Sequence, residues 1–393
     1  MNRAAKISFK NEIAGRLEET ARGGTRFIYH ENWQTPIGCS LPVRQREHEW
    51  NDGLHPFFQH LGAEGWLRER QARVAHIAEE DDFGLLLRYG ADCIGAVGVL
   101  PDDGADIAVL PDALAAGATP GRTVSGVQRK LLVVLNEAAQ IFEPAASTGP
   151  APFIAKFNSE RPEAIVRNEY LSLRWMAALL GADEVTAFAL GRVAGYDEGA
   201  LVVTRFDRTQ AGEKLRAEDF AQILNKPRGI DFGGKYDASY EQVAEIVRNY
   251  SARPEIDLLR LFRRLIAFAI IANCDAHLKN FTLLETPAGL RLSPIYDVIN
   301  VGCYAQDGFA QELALRIGDE TVRLDDVNRR LFETFGERIG LPARAVARAF
   351  ADLRQRAPQA NAVLDIPRAE YPIGFVARFD EVVRNGCLRI LEQ

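Results

Sequence analysis

Apolar residues follow two rhythms along this 393-residue chain, and the change from one to the other divides it. Short alternating or continuous β-like runs dominate the first half, where Arg26–Tyr29, Gly84–Arg88, Ala91–Leu100, Leu131–Leu135, Pro152–Asn158 and Ala200–Arg208 predict strands. A helical patch from Leu61 to Ala75 interrupts them, as does a helix over Asn168–Leu180 that Gly181 stops. Farther on the period lengthens. Leu259–Ala272 is apolar on nearly every side toward its end, the pattern of a helix buried in a core. Phe281–Glu285 and Leu290–Pro294 predict two short strands about the turn Thr286–Gly289, and Asp326–Phe335 and Pro342–Arg356 read as amphipathic helices. The punctuation gives an N-terminal part over 1–115, closing in an acidic Gly/Ala/Pro-rich linker from Pro101 to Pro120. A β-rich part over 120–208 and a mostly helical part over 209–393 follow.

Two loops in the helical part concentrate chemistry. Asn273-Cys274-Asp275-Ala276-His277-Leu278-Lys279-Asn280 offers a carboxylate, a cation and an amide within one turn-sized segment, and Ser293-Pro294-Ile295-Tyr296-Asp297 brings a second carboxylate just past the predicted hairpin. Phosphoryl transfer needs this equipment: a carboxylate near the attacking hydroxyl, a cation near the transferring phosphate, and oxygen ligands for Mg²⁺. Asp275 and Asn280 are five residues apart, the interval of a kinase catalytic loop. The plainer reading is that Asp275 and His277 cap a helix or brace a turn. Upstream, Gly117–Lys130 is a small, hydroxyl-rich loop running into a strand, suited to bringing backbone N–H groups to phosphate or to serving only as a turn. It is not a Walker A loop, because Val127 stands where that motif requires lysine. Lys156, inside the apolar Ile154–Phe157 run, either snorkels at a sheet edge or is held for an anion, and Glu169 on the following helix is its candidate partner. The run ending at Thr204-Arg205-Phe206 would lie where main-chain groups meet a purine.

The ordered series TVSGVQRK, FIAKF, NEYLSLRWMAALLGA, LVVTRFDR, EDFAQIL, NCDAHLKN and LSPIYDV resembles the HipA family of serine/threonine kinases, toxins of bacterial HipBA-type toxin–antitoxin modules. The resemblance implies an α+β, two-lobed protein-kinase-like fold with an added N-terminal α/β subdomain. It implies Asp275 as catalytic aspartate with Lys279 beside it, Asn280 and Asp297 as Mg²⁺ ligands, and Lys156 as the phosphate-binding lysine. ATP would be held by Ser125, Gly126, Gln128 and Lys130 of the phosphate loop, by Thr204 and Phe206, and by His277, a buried brace beside the catalytic aspartate. Thr123 and Ser125 both qualify as the autophosphorylated hydroxyl. A HipB-like helix-turn-helix antitoxin is the implied partner, with operator DNA reached only through that complex. An aminoacyl-tRNA synthetase or another translation protein stands as the substrate class. Ala272 and Cys274 depart from the small Gly and the Gly or Thr common around the catalytic motif.

Composition narrows the alternatives. The content of 47% hydrophobic and 26% charged residues is that of an ordinary globular protein, and no stretch reaches membrane-spanning length. Five scattered cysteines with no C-x-x-C pair, and a start without an apolar signal core, point to reduced thiols in the cytoplasm. Five of six histidines lie in the first 76 residues, which disfavours a zinc site in the catalytic half; His48, His55 and His60 read as surface or interface residues. A net charge of −7 argues against an autonomous grip on DNA, although Arg323, Arg329, Arg330, Arg338, Arg344, Arg348, Arg354 and Arg356 crowd the C-terminal helices as a solvated face or an antitoxin dock. An active kinase, a catalytically silent ATP-binding co-repressor and a metal-dependent hydrolase therefore compete. The hydrolase leaves the TVSGVQRK loop and Lys156 without a role. The silent version requires a lost key residue, and Lys156, Asp275, Asn280 and Asp297 are all present.

Overall fold

The computed structural model describes residues 3–102, 128–146, 149, 151–159, 162–366 and 371–392, apart from the side chains of 230 and 231. Thr123, Ser125, Gly126 and the expected 101–120 linker beyond residue 102 lie outside the described residues. The chain forms two compact units, Met1–Phe157 with Gly191–Lys235, and Asn158–Leu190 with Tyr236–Gln393.

The first unit is β-rich. Strands β1 (Ala4–Phe9), β2 (Glu12–Glu19), β3 (Thr25–Tyr29), β4 (Glu47–Trp50) and β5 (Val97–Pro101) form an antiparallel sheet in the order β4-β3-β2-β1-β5. Its inner face carries Ile7, Leu17, Phe27 and Tyr29 onto Phe57, Phe58 and Phe83. Helices α1 (Gly65–Ala75) and α2 (Asp82–Tyr89) belong to the same unit. The expected strand Gly84–Arg88 is thus a helix. Asp81 caps it by accepting from the Gly84 N–H, and Phe83, Leu86 and Tyr89 recur at helical spacing on the buried face. Of the expected Ala91–Leu100 strand only the last four residues pair, within β5; residues 91–96 form an irregular turn.

His48, His55 and His60 are not surface residues, being only 6%, 5% and 5% exposed. His48 sits opposite Phe27 across β3 and β4 and stacks on its ring, while His55 packs between Trp50 and Phe58. Burial pushes the His55 imidazole down to about 4 and lowers that of His48, so both serve the core as neutral aromatic rings. His60 Nε2 lies 2.7 Å from the Lys226 carbonyl.

A second sheet is ordered β7-β6-β8-β10-β9, from β6 (Lys130–Asn136), β7 (Ile141–Pro144), β8 (Phe153–Lys156), β9 (Phe188–Arg192) and β10 (Gly199–Thr204), and its β6–β7, β6–β8 and β8–β10 pairs are antiparallel. Leu131, Val133, Ala155, Phe157 and Val202 form its core. A short strand β11 (Ala217–Asp219) follows.

The second unit is mostly helical. It contains α3 (Ile165–Leu180), α4 (Tyr240–Tyr250), α5 (Pro254–Ile270), the hairpin β12 (Thr282–Thr286) and β13 (Gly289–Leu292), then α6 (Arg329–Arg338), α7 (Ala343–Asn361) and α8 (Phe375–Leu391). Helix α5 is its axis: Leu261, Phe262, Ile266, Ala267 and Ile270 are all fully or nearly fully buried, which explains the all-round apolarity of the sequence there. Gly386 lets α8 approach the end of α5, since an added Cβ would lie 2.4 Å from the Ile270 carbonyl oxygen. Several C-terminal arginines find acidic partners on their own helix, Arg329 with Glu333 and Arg348 with Asp352, as a solvated face does. The architecture is mixed α+β, as the sequence pattern predicts.

Candidate active site

The catalytic-loop residues are delivered by the end of α5. The helix closes with Ala272 in the left-handed region, φ 54°, a conformation glycine would adopt at lower cost. Its carbonyl accepts from the Val301 N–H, and the Asn273 N–H reaches back to the Phe268 carbonyl. Three residues further, the Ala276 carbonyl accepts from the hydroxyl of the buried Tyr240 on α4. The loop backbone is therefore bonded on both sides before it exposes any functional group.

From this base Asp275 projects with its side chain 47% exposed. His277, Lys279 and Asn280 are buried, at 5%, 9% and 7%. The Asn280 amide oxygen accepts from the His277 N–H at 3.1 Å, and the Asn280 N–H donates to the His277 carbonyl at 2.9 Å. That reciprocal pair fixes the direction of the amide oxygen and leaves its second lone pair for a ligand. His277 Nε2 stands 3.9 Å from Asp275 Oδ1, beyond hydrogen-bond reach. It braces the loop and leaves the carboxylate to others. Burial pushes the neighbouring Cys274 thiol up to about 12, so it is no nucleophile.

Asp297 is brought to the same loop by Tyr296. The Tyr296 hydroxyl donates to the Lys279 carbonyl at 2.7 Å and lies 2.6 Å from Thr282 Oγ1, tying the approach to Asp297 onto the catalytic loop and onto β12. Ile295 pairs with the Glu184–Thr186 segment on one side, and Asn168 of α3 exchanges two hydrogen bonds with the Asn300 backbone on the other. Between these clamps Asp297 takes φ 59°, a left-handed conformation that costs a non-glycine residue roughly 1–3 kcal/mol and is retained where surroundings over-determine it. The structure thus brings Asp275, His277, Lys279 and Asn280 together on one loop of the helical unit and ties Tyr296, the residue before Asp297, to that loop. Glu169, on α3 of that unit, is fully buried.

The other expected residues belong to the β-rich unit. Lys156 on β8 stands directly opposite Lys130 on β6, and Leu201 of β10 opposite Lys156, so these side chains share one face of the sheet. Both lysines are 5% exposed, and the central position of β8 excludes the snorkelling edge alternative for Lys156. Gln128 donates to the Phe157 carbonyl at 2.8 Å, holding the start of β6 beside the end of β8. Thr204 and Phe206 are half-buried and alternate with Arg205 and Asp207, which are 4% and 2% exposed. Asp207 accepts from both Arg205 and Arg208, and Arg208 bonds Asp92. Burial alone would raise the Asp207 carboxyl, but these guanidiniums hold it below its usual range. The chain leaving β10 is anchored by this cluster, whose convergence no local sequence pattern signals.

Among the described residues no group of three or more His, Cys, Asp or Glu could hold a metal. An amide oxygen and a carboxylate are nevertheless a hard-oxygen pair suited to Mg²⁺, which takes few protein ligands when phosphates complete its shell.

Comparison with known proteins identifies the family. The model of the HipA-like C-terminal domain matches residues 122–361 and that of the HipA N-terminal domain matches residues 5–100. The chain is 28% identical over 390 residues to Y4mE of Sinorhizobium fredii, covering 89% of each chain. It is 29% identical over 296 residues to the serine/threonine-protein kinase toxin HipA of Shewanella oneidensis, covering 69% of this chain and 64% of that one. Among solved structures, the Shewanella oneidensis complex of HipA, HipB and operator DNA contains a chain with the same fold, at TM-score 0.74 and 21% identity over 99% of this chain and 97% of that one. With one family model spanning more than half of its length and another covering its N-terminal part, the chain belongs to the HipA family of kinase toxins.

Proposed function

We propose that this protein is an ATP- and Mg²⁺-dependent serine/threonine protein kinase, the toxin of a bacterial type II toxin–antitoxin module. The observation carrying this reading is the bond from Tyr296, next to Asp297, to the Asp275–Asn280 loop, which favours a site where a base, a cation and two hard oxygen ligands share one rigid support. Asp275, the exposed member, accepts the proton of the attacking substrate hydroxyl. Asn280 and Asp297 hold the metal, and Lys279 neutralises charge beside the loop. On the β-rich unit, Lys156 and Lys130 face the nucleotide phosphates, Gln128 positions the phosphate loop, and the Thr204 and Phe206 backbone meets adenine. His277 packs under the site. Mg²⁺ held by Asn280 and Asp297 would supply positive charge to offset that developing on the phosphates during transfer.

Ser125 and Gly126 extend the phosphate loop, and Thr123 or Ser125 is the hydroxyl that receives phosphate in trans and silences the enzyme. The remaining assignments follow the family. A HipB-like antitoxin binds the chain and carries operator DNA, in keeping with this chain's own charge of −7. The substrate is a translation protein such as an aminoacyl-tRNA synthetase. Residues 1–115 form the N-terminal subdomain, 120–208 the nucleotide lobe and 209–393 the catalytic lobe. Five free thiols suit the cytoplasm, and among the described residues no helix is long and apolar enough to cross a membrane.

The test is incubation of purified protein with ATP and Mg²⁺ beside Asp275→Ala, with phosphosites mapped by mass spectrometry and ATP binding measured on the same samples. Phosphate on Thr123 or Ser125 in the wild type alone is the expected result. Tight ATP binding without transfer identifies the silent co-repressor instead, and absence of binding overturns the kinase reading.

A further inference from the structure

The Asp275 carboxylate is held by a residue outside the catalytic loop. Tyr236 donates its hydroxyl to Asp275 Oδ1 at 2.6 Å, a short bond of the kind a phenol makes to an ionised acceptor. Among the described residues it is the one donor within hydrogen-bond distance of that carboxylate, since His277 Nε2 is 3.9 Å away. The tyrosine ring stands edge-on against the buried His277 ring, with centroids 5.0 Å apart and planes at 80°. Four residues on, Tyr240 takes the Ala276 carbonyl at 3.1 Å. Two tyrosines, Tyr236 just before α4 and Tyr240 opening it, therefore grip consecutive residues of the loop, one by its functional group and one by its backbone.

We propose that Tyr236 is a positioning residue: it locks the Asp275 side chain through Oδ1 so that Oδ2 is presented to the substrate hydroxyl. The inference rests on the kinase reading above and deepens it. A carboxylate with a side chain 47% exposed and no donor would sample several rotamers, and a base displaced by about 1 Å can lose two orders of magnitude in rate. The phenol removes that freedom without taking the proton. Its ring contact with His277 sets where the hydroxyl sits, while the 47% exposure of the Asp275 side chain leaves the carboxylate approachable.

The experiment uses the full chain and Tyr236→Phe, which keeps the ring contact and deletes only the hydroxyl. Single-turnover autophosphorylation at varied ATP with Mg²⁺ is compared for wild type, Tyr236→Phe, Asp275→Ala and the double variant, and urea unfolding is run on all four. We expect Tyr236→Phe to lower the maximal rate about ten-fold or more while the half-saturating ATP concentration stays within about two-fold. The unfolding midpoint should drop on Tyr236→Phe in the wild type and not in Asp275→Ala, which shows the hydrogen bond in solution independently of activity. A maximal rate that is unchanged overturns the positioning role and leaves the kinase reading standing. A faster Tyr236→Phe also overturns it, because the tyrosine would then obstruct the carboxylate. A matching loss in ATP affinity overturns it as a general folding defect. If the wild type transfers no phosphate while the unfolding cycle still couples the two residues, the kinase reading fails and the catalytic role of Tyr236 fails with it.

Discussion

The two ends of helix α5 each carry an aspartate, and the pair shows how one side chain is made structural and another reactive. Asp257, in the first turn, is fully buried and accepts from Arg291 Nε and Nη2, Arg260 Nη1, Ser251 Oγ and the Leu292 N–H, all within 3.0 Å. Arg260 and Arg264 continue to Glu184, so charge spreads over three elements of the helical unit. A carboxylate has about four lone-pair directions, and here all are taken. Asp275, just beyond the other end, is half-exposed and, among the described residues, accepts from one tyrosine. Burial with saturated partners fixes the hairpin that leads to Asp297; exposure with one partner leaves an oxygen available for a proton.

That contrast is broken most severely by exchanging the two losses. Asp275→Ala should lower phosphoryl transfer by about 10²–10⁴-fold, the range for removal of a positioned base, while its urea midpoint falls only by the small amount that the Tyr236 hydrogen bond contributes. Asp257→Ala should do the reverse. Removing one partner of a buried ionic cluster costs about 3–5 kcal/mol, because arginines remain buried without their counter-charge. Its midpoint should fall sharply, and transfer per folded molecule should fall far less than in Asp275→Ala. Equal stability losses in the two variants would erase the distinction.

A smaller effect sharpens the comparison by showing what secures the Asp275 end in place of charge. Gly386 of α8 admits the Ile270 carbonyl at a distance a methyl group cannot share. Gly386→Ala should therefore cost about 1–3 kcal/mol in urea unfolding, as overpacking does, against the usual gain of alanine over glycine inside a helix. A stabilised variant would mean that α8 does not press on this end.

The sequence made one end of α5 legible and the other opaque, for a physical reason. Asp275, Lys279, Asn280 and Asp297 fall close together along the chain, and their chemistry is recognisable in a short window. The Asp257 cluster draws on Glu184, Ser251, Arg260, Arg264 and Arg291, which are ordinary charged or polar residues whose convergence depends on tertiary packing. Tyr236 was missed likewise, lying far upstream of the carboxylate it bonds. In the β-rich unit the Leu85-Leu86-Leu87 run fits either period, and the capping bond of Asp81 decides it for a helix. The three histidines were misplaced because imidazole near a strand is equally compatible with a solvated edge and an aromatic core.

The mildest perturbation is pH, and its sign follows from the arrangement at Asp257. Although burial would raise this carboxyl, Arg291, Ser251, the Leu292 N–H and Arg260 hold it far below the ordinary aspartate range. In the unfolded chain it titrates near 3.9. A carboxyl depressed by folding contributes its stabilisation fully above the unfolded value and loses it as pH falls toward the folded one, because the unfolded state then binds the extra proton. From about pH 5 downward the wild type should lose stability with a slope to which Asp257 contributes. Asp257→Asn, already weaker at neutral pH, cannot take up that proton, so its unfolding free energy should fall more gently over the same interval and the two curves should converge in acid. Urea titrations at several pH values measure both slopes. Parallel curves would mean that Asp257 is not ionised in the folded protein, and the division of labour between the two ends of α5 would then have to rest on packing alone.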